Sequence, residues 1–177
     1  MTIKENVSEK YRTTLKHEQG IDVLNFVEKS VLLDDNTPFI LLDSSSHVSI
    51  ESLVNLHEFV AGTLYSVINI ERLNNVKYIN KFLEESNKVL SQGGLFIGHL
   101  ETSHKRKSRI LRKYPLPLNR LLYVFDFIIK RVLPKFRLTK KIYFFLTQGK
   151  NRVISEMEAY GRLYSCGFEL VDSKEIN

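Results

Sequence analysis

Apolar residues in this chain fall into short dense runs separated by stretches of helical period, the pattern of buried strands alternating with amphipathic helices. Ile21, Leu24, Val27 and Val31 sit at helical spacing and predict a helix over residues 21–33, ended by Asp34, Asp35 and Asn36. Pro38 opens the run Phe39-Ile40-Leu41-Leu42, expected as a buried strand, and Asp43-Ser44-Ser45-Ser46 follows as a polar loop. Residues 50–60 suggest a short helix. Leu64 to Ile70 is β-rich and apolar and predicts a second strand. Asn74 or Asn75 is placed to cap a helix whose apolar face is Val76, Ile79, Phe82, Leu83 and Leu90. Glu84 and Lys88 stand four apart on its exposed side, and Gly93 is placed to stop it in the left-handed conformation. Leu95 to Leu100 is a further apolar strand. Strand, helix, glycine turn and strand make a βαβ unit, which builds parallel sheet.

A last unit repeats this logic. Ser155-Glu156-Met157-Glu158 reads as a capping box, and Met157, Tyr160 and Tyr164 share one helical face with Leu163 beside them. Gly161 costs such a helix about 1 kcal/mol relative to alanine, so close packing is expected there. Gly167 ends the helix, and Phe168 to Asp172 is expected as a strand. Between these units lies a long connection, residues 102–150, with Pro115, Pro117, Pro134 and eight of the 19 aromatic residues. Helices are expected near Ser108, over 119–133 and over 139–146. The expected organisation is a loose polar arm over 1–19 and one α/β domain over 20–177 that carries this connection as an insertion.

Charge sharpens the picture. The chain has a net charge of +6, but residues 102–152 hold 15 of the 26 Lys and Arg against one acid, Asp126. The remainder is acidic. Such asymmetry marks an anionic partner. The single cysteine, Cys166, rules out an internal disulfide and fits a reducing compartment; it reads as a small buried side chain. The amino terminus has no apolar core of a secretory signal, and every window of membrane-spanning length contains charge. The expected location is the cytoplasm, at the inner face of the cytoplasmic membrane.

Few residues suggest catalysis. Asp43, Ser44 and His47 are close in sequence, but a triad needs a base oriented across space. The five histidines lack metal-ligand spacing, and His99 reads as an interior or strand-end histidine. No catalytic residue and no metal site are assigned. A nucleotide-type cofactor needs glycines after the first strand, and none occurs between Leu42 and Gly62. Asp43, Ser44 and Asn69 remain as weak candidates for a cofactor edge at the strand ends. The basic segment is the stronger signal: Lys105, Arg106, Lys107, Arg109, Arg112, Lys113, Lys130, Arg131, Lys135, Arg137, Lys140 and Lys141 are interleaved with Tyr114, Tyr123, Phe125, Phe127, Phe136, Tyr143, Phe144 and Phe145. Rings and cations together suit a membrane interface. They also suit single-stranded nucleic acid, or a helical cap whose rings are core and whose charges are solvated.

Two resemblances follow from named motifs. Val89 to Ile97, with Gly93-Gly94, and Ser155 to Val171, with Gly167-Phe168, resemble the later half of a class I S-adenosylmethionine-dependent methyltransferase. This implies a Rossmann-like, mainly parallel α/β sheet, here truncated and carrying a basic helical insertion, with S-adenosylmethionine as the alternative to no cofactor. Asn69 to Phe82, Gly93 to Gly98, Arg109 to Pro115, Leu138 to Phe144, Asn151 to Ser155 and Gly161 to Phe168 resemble the amino-terminal domain of polyprenyl-phosphate sugar-phosphate transferases of bacterial exopolysaccharide synthesis. In that family a downstream membrane-bound domain carries the chemistry. The resemblance implies a non-catalytic accessory domain. Its expected partners are an anionic membrane surface or a polyprenyl-phosphate-linked sugar, and a downstream transferase domain or partner chain.

Overall fold

Three apolar runs form one parallel sheet. In the computed structural model the described residues are Thr13, Lys16 and residues 21–30, 39–42, 62–147 and 149–176. Strands β1 (Phe39–Leu42), β2 (Leu64–Asn69) and β3 (Leu90–Ile97) lie in the order β1-β2-β3. Phe39 is registered with Ser66, Leu42 with Asn69, Val67 with Phe96 and Ile68 with Ile97. The expected helix over 50–60 and the loop at Asp43 and Ser44 lie outside the described residues.

The described residues divide into two compact units. One comprises those up to Glu71, with Asn80–His99 and the residues from Leu163 onward; the other comprises Arg72–Ile79 and Leu100–Arg162. The first unit holds the sheet. Helix α1 (Ile21–Ser30) lays Val23, Leu24 and Val27 on Phe39, Ile68, Ile70 and Ile97. Helix α2 (Ile79–Val89) joins β2 to β3, and its Phe82 meets Phe96 edge-on at 6.2 Å. Successive strand residues point to opposite faces. Phe96 and Ile97 therefore serve opposite faces, and helices cover both. That explains why β2 is apolar without alternation. The fold is α/β with a parallel sheet, compatible with a truncated Rossmann-like architecture.

The second unit holds four helices: α3 (Ser103–Lys113), α4 (Leu118–Phe127), α5 (Arg137–Thr147) and most of α6 (Glu156–Ser165). Helical backbone continues from α4 through a π-helical stretch, Ile128–Val132, and a 3-10 turn, Leu133–Lys135. The helices expected near Ser108, over 119–133 and over 139–146 are present.

Several local expectations are corrected. Helix α2 begins at Ile79; Leu73–Asn75 form a 3-10 turn, and the buried Asn74 amide is engaged in tertiary bonds instead of a cap. Lys88 pairs with Glu85 at 2.9 Å, three residues away, which gives that buried carboxylate a partner. Gly93 has φ +77° but lies within β3, where the register with β2 shifts; α2 has already stopped at Val89. Ser155 does accept from the Glu158 amide at 3.2 Å, but the Glu158 carboxylate is taken by Arg131 and Arg162, stronger donors than a backbone amide. The face of α6 that turns inward carries Ala159, leaving Met157 and Tyr164 exposed. Residues 168–172 form no strand: Phe168 packs on Phe96 at 5.4 Å, and Leu170 and Val171 are exposed.

The end of α6 is well specified. Gly167, at φ +84°, donates to the Tyr164 carbonyl and Phe168 donates to that of Leu163, a Schellman pair. The Asn87 amide donates to the Cys166 carbonyl, and Cys166 is buried as expected.

Two glycines make opposite predictions. A Cβ on Gly94 would stand 2.9 Å from the Ser91 carbonyl oxygen and 3.1 Å from that of Tyr65. Gly94→Ala should destabilise by about 1–3 kcal/mol, because backbone must move. Gly161, against expectation, has nothing within 4 Å of its Cβ position. Gly161→Ala should therefore stabilise by about 0.5–1 kcal/mol. Urea midpoints at unchanged m-value check both.

Candidate anionic-surface site

The basic segment is organised around one buried cation. Thr102 caps α3 by accepting from the Lys105 amide, and the Ser103 amide donates to the Ile154 carbonyl at 2.8 Å, which fixes the start of the helix. One turn on, Arg106 is only 3% exposed. Its Nε and Nη2 donate to the two Asp126 oxygens at 2.6 and 2.8 Å. Its Nη1 donates to Asn151 Oδ1 at 2.6 Å and to Glu101 at 3.3 Å. Glu101 also accepts from Arg109, and its backbone amide donates to Asn74 Oδ1 at 2.7 Å. The Asn74 amide in turn donates to the Glu101 and Arg152 carbonyls. The interior of this unit is thus partly a polar network, acceptable because its members are paired.

Burial alone would push the Asp126 carboxyl up. Hydrogen bonds and charge from Arg106, with Lys130 adding to them, outweigh that and hold it below the usual carboxylate range. The Glu101 carboxylate raises Arg109 by hydrogen bonding, against a smaller opposing effect of burial.

These pairs decide how α4 is turned. Asn119 Nδ2 donates to the Leu111 carbonyl, Asp126 meets Arg106, and Lys107 lies over the Tyr123 ring at 5.6 Å. Contacts that run backward along one helix and forward along the other describe an antiparallel pair, α3 against α4. Asn119, Tyr123 and Asp126 of α4 face that neighbour. Its apolar residues, at helical spacing 118, 121, 125 and 128, face outward: Leu121 is 56% and Phe125 55% exposed, and Leu118, Val124, Ile128 and Ile129 are exposed too. Leu116, in the turn before α4, is 67% exposed.

The predicted cations separate into classes. Lys107, Arg112, Lys113, Lys135 and Lys141 are exposed and make no ion pair with a described residue. Lys105 is half-buried. Arg106, Arg109, Lys130 and Arg131 are held by carboxylates, Arg131 by Glu158 at 3.1 Å. Arg137 and Lys140 lie on α5, with side chains outside the described set. Of the interleaved rings, Tyr143 is buried, while Tyr114, Phe125, Phe127, Phe136 and Phe145 are exposed. Sequence reasoning passed over Arg120, which is exposed at the border of the apolar face, and over the outward leucines and isoleucines themselves. Their period was readable; its direction was not.

The cofactor candidates come to little. Asp43 and Ser44 lie outside the described residues. Asn69 is buried at the end of β2, and its amide donates to the Glu71 carbonyl at 2.6 Å, which shapes the exit turn. Among the described residues no His, Cys, Asp and Glu group could hold a metal ion, and no helix is long and apolar enough to cross a membrane. No protein-family model, curated protein or solved structure matches this chain.

Asp126→Asn should cost about 3 kcal/mol in urea denaturation, the low end for breaking a buried pair, since Glu101 still faces Arg106. The pH dependence has a definite sign. A carboxyl held low stabilises the fold above its unfolded value and loses that contribution as pH falls through the folded one. Wild-type stability should fall on acidification below about pH 4, and Asp126→Asn should lack that component.

Proposed function

We propose that this chain is a non-catalytic domain that docks on an anionic, phosphate-bearing surface, the cytoplasmic membrane face or a lipid-linked sugar phosphate. The supporting observation is the set of exposed cations, Lys107, Arg112, Lys113, Lys135 and Lys141, free of partner carboxylates among the described residues and interleaved with exposed rings. Each such cation near an anionic bilayer contributes about 1 kcal/mol, so four or five suffice for reversible attachment. Three of the unit's four acids, Glu101, Asp126 and Glu158, are engaged by arginines, and the fourth, Glu156, accepts from the Tyr160 hydroxyl on α6. The resemblance of the 69–82, 93–98, 109–115, 138–144, 151–155 and 161–168 segments to sugar-phosphate transferases supports a setting in exopolysaccharide synthesis, as an accessory to a transferase domain or chain. A methyltransferase-like origin of the sheet is part of the same reading and requires no bound cofactor.

Co-sedimentation with vesicles tests this. The chain should pellet with phosphatidylcholine–phosphatidylglycerol vesicles and not with phosphatidylcholine alone. Replacing Arg112, Lys113 and Lys135 by Gln should weaken pelleting by about tenfold or more. Equal binding to both vesicle types, or to neither, contradicts the proposal. Binding of single-stranded RNA in preference to vesicles would point to nucleic acid instead.

A further inference from the structure

We infer that the helix running from Leu118 through Val132 seats in the plane of an anionic bilayer, with Leu121, Phe125 and Ile128 inserted among the acyl chains. This rests on the anionic-surface reading above and adds an apolar anchor to it. A run of exposed apolar residues on one face of a soluble unit marks a contact surface. The charge around this one selects its occupant. Arg112 and Lys113 precede the helix, Arg120 borders its apolar face and Lys135 follows it. Tyr114 and Phe136, both exposed, stand at its two ends, where interfacial rings favour headgroup depth. Asp126, the only acid from Thr102 to Arg152, points away from this face because Arg106 holds it inside. An apolar stripe bracketed by cations, with the helix's own acid turned inward, matches a layer of lipid phosphates above hydrocarbon. The helical stretch is too short and too interrupted by charge to span the bilayer, so it lies along it. Leu116, exposed in the turn before the helix, extends the apolar surface beyond its start.

The chain contains no tryptophan, so a single introduced one reports cleanly. Leu121→Trp, at an exposed position, tests insertion, and Met157→Trp, exposed on α6, is the control. Circular dichroism and urea midpoints establish that both variants fold as the parent does. With phosphatidylcholine–phosphatidylglycerol vesicles, the indole emission of the Leu121→Trp variant should shift to the blue and be quenched by brominated acyl chains. The emission of the Met157→Trp variant should do neither. Part of the blue shift at position 121 should survive about 0.5 M salt, where exposed charges are screened within a few ångströms. Phe125→Glu in the Leu121→Trp background should reduce partitioning about tenfold or more. Pelleting that salt abolishes, with no shift from the indole at position 121, overturns insertion and leaves the electrostatic reading standing. No pelleting at all overturns both. A blue shift of the Leu121→Trp variant without vesicles that grows with protein concentration assigns the face to a second copy of the chain and also overturns insertion.

Discussion

The burial of Arg106 is the constraint from which the basic unit follows. A guanidinium with almost no exposure is tolerated only when its donors are met by well-placed acceptors. Here Asp126 takes two of them side by side, and Glu101 and Asn151 take another. Asp126 belongs to α4, so satisfying Arg106 fixes the rotation of that helix. Turning α4 by half a turn would bury Leu121 and Phe125 but take from a buried cation its two-pronged partner, leaving Nε and Nη2 unmet. The loss of a buried charge partner, about 3–5 kcal/mol, is comparable with what Leu121 and Phe125 together would gain on burial, about 3–6 kcal/mol, so the remaining polar contacts of α4 tip the balance. Lys130 on Asp126 and Asn119 on the Leu111 carbonyl add to the same preference.

The two units are built on different principles. The sheet unit is conventional: Val27, Val67, Ile68, Leu83 and Val89 are almost completely buried, and apolar strands are covered on both faces. The helical unit combines a few apolar residues, among them Ile110, Tyr143 and Ile154, with buried Asn74, Arg106 and Asn119. Asn74 joins the backbone at Glu101 and Arg152, and Asn75 accepts from the Asn151 amide, so residues far apart in sequence are tied by amides and carboxylates. Such interiors specify one arrangement, because each donor has a fixed direction, and they leave apolar residues available for the surface.

Much of the fold was legible because its signals are local. The dense apolar runs at Phe39 and Leu64 mark strands, and the period of residues 119–133 marks a helix. What was not legible depends on partners distant in sequence. A helical stripe of leucine and phenylalanine reads equally as core or as surface, and only the position of Arg106, 20 residues before Asp126, decides it. Met157 and Tyr164 illustrate the same ambiguity on α6, where small Ala159 turns inward. Asn74 looked like a cap because caps are local, whereas its true acceptors lie 27 and 78 residues away. The cations of the basic segment include Arg106, Arg109, Lys130 and Arg131, which carboxylates hold, and no local signal separates these from the exposed ones. The apolar face on α4, absent from the sequence-based site, is the larger addition.

An inward polar stripe and an outward apolar one make α4 costly to leave in water and favourable to seat in an interface. In the proposed reading the surrounding cations select an anionic one. Hydrogen–deuterium exchange of the unmodified chain, with and without anionic vesicles, tests this coupling most directly. Vesicles should slow exchange over residues 114–132 and leave α6 and the sheet strands unchanged. Unaltered exchange over 114–132, or protection that appears on the sheet instead, would contradict it.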